Sequence, residues 1–176
     1  MHQEEKISSK TEYEGRIITV RQDAVKLENG RMALRDVVQH PGGVAVLAMD
    51  AQEQVYMVEQ FRYPTGQALW ELPAGKLEYG EDPRECGIRE LKEETGCTAE
   101  QFELLGALWP TPAYCNERIY IYLATGLNQG EQSLDENEFL TARRMPLAKV
   151  QEMILTGEIE DAKTQIGVLK YLAMKG

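Results

Sequence analysis

The chain has 176 residues, 43% of them hydrophobic and 27% charged, and its 29 acidic against 19 basic side chains leave a formal net charge of -10. That length fits one globular domain, or a domain with a small appendage, and buries a full core without covalent staples. The acidic balance excludes nucleic acid as a partner unless basic residues segregate onto one face, and admits a small anionic substrate only where bound cations or local arginines reverse the sign.

In chain order, RIITVRQDAVKL from Arg16 and RMALRDVVQ from Arg31 read as two strands joined across Glu28-Asn29-Gly30, where Asn-Gly suits the positive φ of a tight hairpin. His40-Pro41-Gly42-Gly43 breaks the chain before VAVLAMD, a turn at Asp50 to Gln54 precedes VYMVEQFR, and ALWELPA follows a Pro64 to Gly66 loop. The clearest helix runs from Asp82 to Glu94: Asp82 caps it, Pro83 suits its first turn, Glu85 completes a capping-box pattern and Gly96 closes it. Further strands are expected at ELLGALW, IYIYLATGL and FLTARRM. Two amphipathic helices follow, Leu147 to Thr156 and Asp161 to Lys175, the second expected to bury Ile166, Leu169 and Ala173.

The three cysteines, Cys86, Cys97 and Cys115, and the two histidines, His2 and His40, match no zinc spacing and point to a reducing cytoplasm. There is no basic start with an apolar run, nor any stretch near the roughly 20 apolar residues of a membrane span, so a soluble, unexported protein with no membrane partner is expected.

At about 100° per residue, Glu90, Glu93 and Glu94 share an arc of roughly 100° on the expected helix, while Ile88, Leu91 and Thr95 point away. Three like charges so spaced repel one another unless a cation sits between them. Taken alone they read more readily as a solvated acidic face. As ligands, carboxylates without imidazole or thiolate suit hard cations, magnesium or manganese in its place. The surroundings favour the metal reading. The segment GKLEYGEDPRECGIRELKEETGC places Gly75, then Glu81 after five residues, Arg89-Glu90-Leu91 after seven more, then Glu93-Glu94, Gly96 and Cys97.

This spacing resembles, position for position, the signature of the Nudix hydrolases. The resemblance implies an α/β/α sandwich with a mixed sheet and metal-dependent cleavage of a diphosphate. It makes Glu90, Glu94 and Glu93 metal ligands, with the Ala74 carbonyl beside them. Arg89 would orient the glutamates and Glu81 would be a secondary acid; an ordinary surface pair of Arg89 with Glu93 stands as the alternative.

Outside this box, VEQFRYPTGQALWELPAGKLE resembles the ADP-ribose pyrophosphatase branch of the family, which nominates Arg62 for phosphate and Glu71 for the exocyclic amine of adenine. In WPTPAYCNE, Pro112 stands fifteen residues beyond Cys97, where that branch has a proline, and Glu117 follows as the loop acid. Ala113 stands where the branch has glycine, which leaves the sugar preference open. DENEFL resembles the loop that supplies the general base, with Glu138 and Glu136 as candidates. EGRIITVRQDAVKLENG is similar to the appended N-terminal sheet that exchanges between subunits of a homodimer, from which Arg16 and Tyr13 would reach the base. The expectation is therefore a dimer-forming sheet over residues 1–40 and a Nudix domain over residues 41–176 that hydrolyses ADP-ribose to AMP and ribose 5-phosphate with magnesium. The alternatives are another nucleotide sugar, such as ADP-glucose or GDP-mannose, and a non-catalytic nucleotide-sugar sensor.

Overall fold

Strand β4 (Gly43–Ala48) is buried at every residue, as a strand covered on both faces must be. Its side chains alternate between two cores. Val46 and Ala48 pack with Leu91 and Cys97, and Val44 with Cys86 and Tyr122. Ala45 and Leu47 turn the other way, to Met57, Leu72, Val150 and Val168. The elements around β4 explain this division in the computed structural model, which describes residues 2–176. A four-stranded sheet has the order β7 (Ala74–Lys76), β4, β9 (Ile119–Gln129), β8 (Cys97–Leu108), with β4 and β9 parallel and the other pairs antiparallel. Helix α1 (Pro83–Thr95) packs on one face, and α3 (Ala162–Lys175), beside α2 (Leu147–Leu155), covers the other. A second sheet, order β10 (Leu140–Pro146), β5 (Gln54–Arg62), β6 (Gln67–Glu71), is antiparallel throughout. The expected α/β/α sandwich with a mixed sheet is the observed one.

By its contacts the chain divides into two compact units, residues 43–108 with 119–176, just described, and residues 1–42 with 109–118. The latter is built on a three-stranded antiparallel sheet of β1 (Glu5–Glu14), β2 (Thr19–Lys26) and β3 (Met32–Gln39). Gly30 takes the positive φ expected of the β2–β3 hairpin, 80°. Segment 109–118 joins this unit through the backbone: Val38 N–H donates to Tyr114 O at 2.7 Å and Asn116 N–H to Val38 O at 3.1 Å.

Three expectations are corrected. Strand β1 was not anticipated, because all ten of its residues are exposed and it shows no apolar alternation; backbone pairing with β2 is what holds it. Strand β8 begins at Cys97, well before the apolar run ELLGALW, since its first half is largely polar. Helix α3 buries the opposite stripe from the one expected: Ile166, Leu169 and Ala173 are exposed, while Thr164, Gly167 and Val168 are buried. A Cβ on Gly167 would lie 3.0 Å from Leu72 and 3.2 Å from Ile121, so close approach replaces side-chain bulk there and removes the hydrophobic signal. No helix among the described residues is long and apolar enough to cross a membrane.

Candidate active site

The start of α1 is fixed by Asp82, whose side chain accepts from the backbone of Arg84 at 2.8 Å and of Glu85 at 3.3 Å. Its end is fixed by Gly96 at φ 75°, whose N–H donates to Lys92 O. Between these caps Leu91 faces the core, and so does Glu94, with 1% of its surface exposed. The helix is therefore not simply acid on one side and apolar on the other. Glu94 Oε2 accepts the Ala74 N–H at 2.9 Å, which ties the helix to the first residue of β7. Glu90 lies against Gly75, where any Cβ would collide with its carboxyl group.

Arg89 is the hub of the box. Its Nη1 donates to Glu90 at 2.8 Å and to Glu93 at 2.9 Å, and its Nε donates to Glu81 at 3.2 Å. A pair with Glu93 alone is thus too small a description. Glu81 also accepts the Glu78 N–H at 2.9 Å. Burial pushes the Glu81 carboxyl up, but this N–H and Arg89 outweigh it and hold the group below its ordinary value. The inner acids behave oppositely. Burial raises the Glu90 carboxyl; Arg89 opposes the shift, and Glu93 and Glu138 add to it. Burial pushes Glu94 up to about 8, against the Ala74 N–H and Arg62 and with the help of Glu90 and Glu138. Two desolvated carboxylates, backed by a glycine that clears space for one of them, are an oxygen donor set for a hard divalent cation. Among the described residues no three acid, imidazole or thiol side chains form a ready cage; Arg89 draws Glu90 and Glu93 toward itself.

The remaining candidates separate by unit. With the box stand Arg62, Glu71, Glu136 and Glu138. Arg62 grips Glu71 with two parallel bonds, 2.7 Å from Nε and 2.8 Å from Nη2. Glu71 is 1% exposed and its second oxygen also meets Lys163. Burial raises the Glu71 carboxyl, yet Arg62 and Lys163 prevail and keep it below the ordinary value. Both Glu71 oxygens thus serve cations inside the protein, and Oε1, with a single such bond, keeps a lone pair of the kind the expected adenine amine would use. Glu138 is half-buried and near enough to raise both inner acids, whereas Glu136 is exposed. The loop leading to them is pinned to the end of α1, where Ser133 N–H donates to Glu93 O at 3.0 Å and Gln132 Nε2 to Glu94 O at 2.6 Å.

In the other unit, Tyr13 lies in β1, one residue before its end, and Arg16 lies in the β1–β2 connection, both exposed. Pro112 occupies the second position of a turn in which Tyr114 N–H donates to Thr111 O at 3.3 Å, the place where its fixed φ is an advantage. Glu117 lies 3.5 Å from the His40 imidazole. The sequence reading missed Asp161, Lys163 and Thr164 at the start of α3. The available signal was a lysine in a first helical turn, where the helix dipole disfavours it unless an acid partner waits.

Comparison with known proteins agrees with this geometry. The family described as NUDIX domain matches residues 39–165, and the nucleoside diphosphate sugar hydrolase N-terminal domain matches residues 4–38. The methanol dehydrogenase activator of Bacillus methanolicus is 40% identical over 177 aligned residues, covering 99% of this chain and 95% of its own. The ADP-ribose pyrophosphatase of Bacillus subtilis (strain 168) is 36% identical over 175, covering 98% and 94%. A crystal structure of an ADP compounds hydrolase superposes with a TM-score of 0.85 at 22% identity over 100% of this chain and 97% of that one, a likeness of fold. From the box spacing, the buried acids on α1 and these matches together, the chain belongs to the Nudix hydrolase family.

Proposed function

We propose that the protein hydrolyses the diphosphate linkage of ADP-ribose, releasing AMP and ribose 5-phosphate, with magnesium as its divalent cation. The observation that carries the reading is the pair of buried acids Glu90 and Glu94 on a helix whose spacing is that of the Nudix box. The likeness to the Bacillus subtilis ADP-ribose pyrophosphatase over nearly the full chain directs the choice of substrate.

In this reading Glu90, Glu93, Glu94 and the Ala74 carbonyl hold the cation, and Arg89 fixes the glutamates through its bonds to Glu81, Glu90 and Glu93. When bound, the cation supplies charge neutralisation for the diphosphate and acidifies the attacking water. Arg62 presents to a phosphate the Nη1 of its guanidinium, the nitrogen that Glu71 does not engage. Glu138 accepts a proton from the water as its oxygen bonds to phosphorus, and the bridging oxygen leaves with the other phosphate. Tyr13, Arg16, Pro112 and Glu117 of the N-terminal unit serve recognition of the nucleoside and sugar.

The same reading takes the protein to be a cytoplasmic homodimer. Ile7, Tyr13, Met32 and Leu34, each between 51% and 60% exposed, give the N-terminal sheet more apolar surface than an isolated sheet leaves uncovered. All three cysteines are free thiols, in keeping with a reducing compartment.

The test is a chromatographic panel of ADP-ribose, ADP-glucose and GDP-mannose, with magnesium and with chelator. Magnesium-dependent release of AMP, fastest from ADP-ribose, is expected; faster cleavage of either rival reassigns the substrate. The name of the relative at 40% identity favours a second reading, in which the chain acts on a partner dehydrogenase. A chain inert toward all three nucleotides would point there.

A further inference from the structure

Lys163 stands in the first turn of α3, where the partial positive charge of the free N–H groups opposes it. Its side chain is nonetheless drawn in to 13% exposure. A lysine so placed gives up hydration and rotamer freedom, so its partners must compensate for both. Nζ meets the Glu71 carboxylate, and Asp161 Oδ1 at 2.9 Å. Asp161 also caps α3, accepting from Thr164 N–H at 2.9 Å and from Thr164 Oγ1 at 2.6 Å. Thr164 Oγ1 in turn accepts the Leu72 N–H at 2.8 Å. One helical turn thus grips the side chain of residue 71 and the backbone of residue 72.

Beyond Glu71 stands Arg62, the exposed member of the group at 39%. Its Nε and Nη2 are engaged by Glu71, which leaves Nη1 for a ligand. The guanidinium also lies within electrostatic reach of Glu94, since each group shifts the other. Arg62, Lys163, Glu71 and Asp161 together carry no net charge, so what Lys163 adds is direction. It holds the Glu71 carboxylate from the side opposite Arg62, and the two parallel bonds from Arg62 to that carboxylate leave Nη1 to be offered beside the box acids.

We propose that Lys163 is a positioning residue for diphosphate binding: it anchors Glu71, and through Glu71 sets the direction of Arg62. The inference rests on the diphosphate chemistry proposed above and adds a residue distant in sequence from the Nudix box.

The experiment compares wild type with Lys163→Met, Lys163→Gln and Lys163→Arg, alone and in an Arg62→Ala background, with thermal unfolding recorded for each. With ADP-ribose and magnesium, Lys163→Met raises KM about tenfold while kcat and the magnesium concentration for half-activation change less than about threefold. Lys163→Arg restores KM to within about threefold of wild type, as a longer cation still reaches Glu71. In the Arg62→Ala background the Met substitution raises KM no further, because the residue acts through Arg62. An unchanged KM, an equal increase without Arg62, or a loss confined to kcat or magnesium activation overturns the proposal. If Lys163→Met does not fold, Lys163→Gln is read by the same criteria. Calorimetric titration with ADP and magnesium separates the two levels of inference. A wild type that binds ADP but leaves ADP-ribose intact refutes the proposed substrate, and weaker ADP binding by Lys163→Met still supports the positioning role; equal binding by the two overturns it.

Discussion

Glu94 titrates in a window that makes its environment measurable. Burial moves its carboxyl from the ordinary 4.5 up to about 8, so between those values the folded chain retains a proton that the unfolded chain has released. Metal-free stability therefore declines as pH rises through the window and levels off above it. The melting temperature without metal should fall from about pH 5.5 to about pH 8.5, and Glu94→Gln should flatten that fall. Magnesium should raise melting more at the upper end, where the carboxylate is charged; equal slopes in wild type and variant would show that the group is not strained. The same substitution should lower turnover by about 10^2 or more with the fold intact. For the base, Glu138→Gln should lower kcat by about 10^2 to 10^4 and remove the acidic limb of the pH–rate profile, leaving KM nearly unchanged. Glu136→Gln should be mild. If both variants keep that limb, the proton goes to another group.

Helix α1 turns both Leu91 and Glu94 inward, so its support and its proposed chemistry share the buried side. Leu91, 1% exposed among Val46, Cys97 and Ala124, should cost about 2 to 5 kcal/mol on truncation to alanine. Exposed Lys92 should cost within about 0.5 kcal/mol. Denaturant unfolding measures both, and equal losses would mean that the helix faces otherwise. This element was readable from sequence because its caps, its glycines and its acids lie within a few residues of one another. Strand β1 was not, since partners distant along the chain impose an extended form on a polar segment. The buried stripe of α3 was misread for a related reason: Gly167 and Thr164 fit the core by close approach and hydrogen bonding, neither of which registers as hydrophobicity. Arg62, Glu71 and the box acids were nominated from spacing and resemblance. The Lys163–Glu71 contact spans 92 positions and depends on how α3 is docked, so no local pattern announces it. The inward turn of Glu71 was hidden for the same reason, because only the third dimension shows which oxygens are already engaged.

At the scale of the whole molecule, the two units hold different parts of the proposed function, and both expose apolar side chains, those of the N-terminal unit including neighbours along one strand. Met32 and Leu34 lie on one face of β3, 58% and 60% exposed. In the proposed homodimer, replacing both by glutamate should yield a monomer by light scattering and lower the melting temperature by the lost subunit binding, because charges desolvated in an interface without partners are costly. A variant that remains dimeric would place the interface elsewhere. The free thiols are also divided between the units. Cys86 and Cys97 sit fully buried near the two ends of α1, with burial pushing the Cys86 thiol up to about 12, while Cys115 is half-buried in the N-terminal unit. An alkylating reagent reaches a buried thiol only when its surroundings open. A single labelling time course, resolved by peptide mass, would therefore clock the opening of each unit separately, and magnesium should slow the clocks of Cys86 and Cys97 while leaving that of Cys115 running.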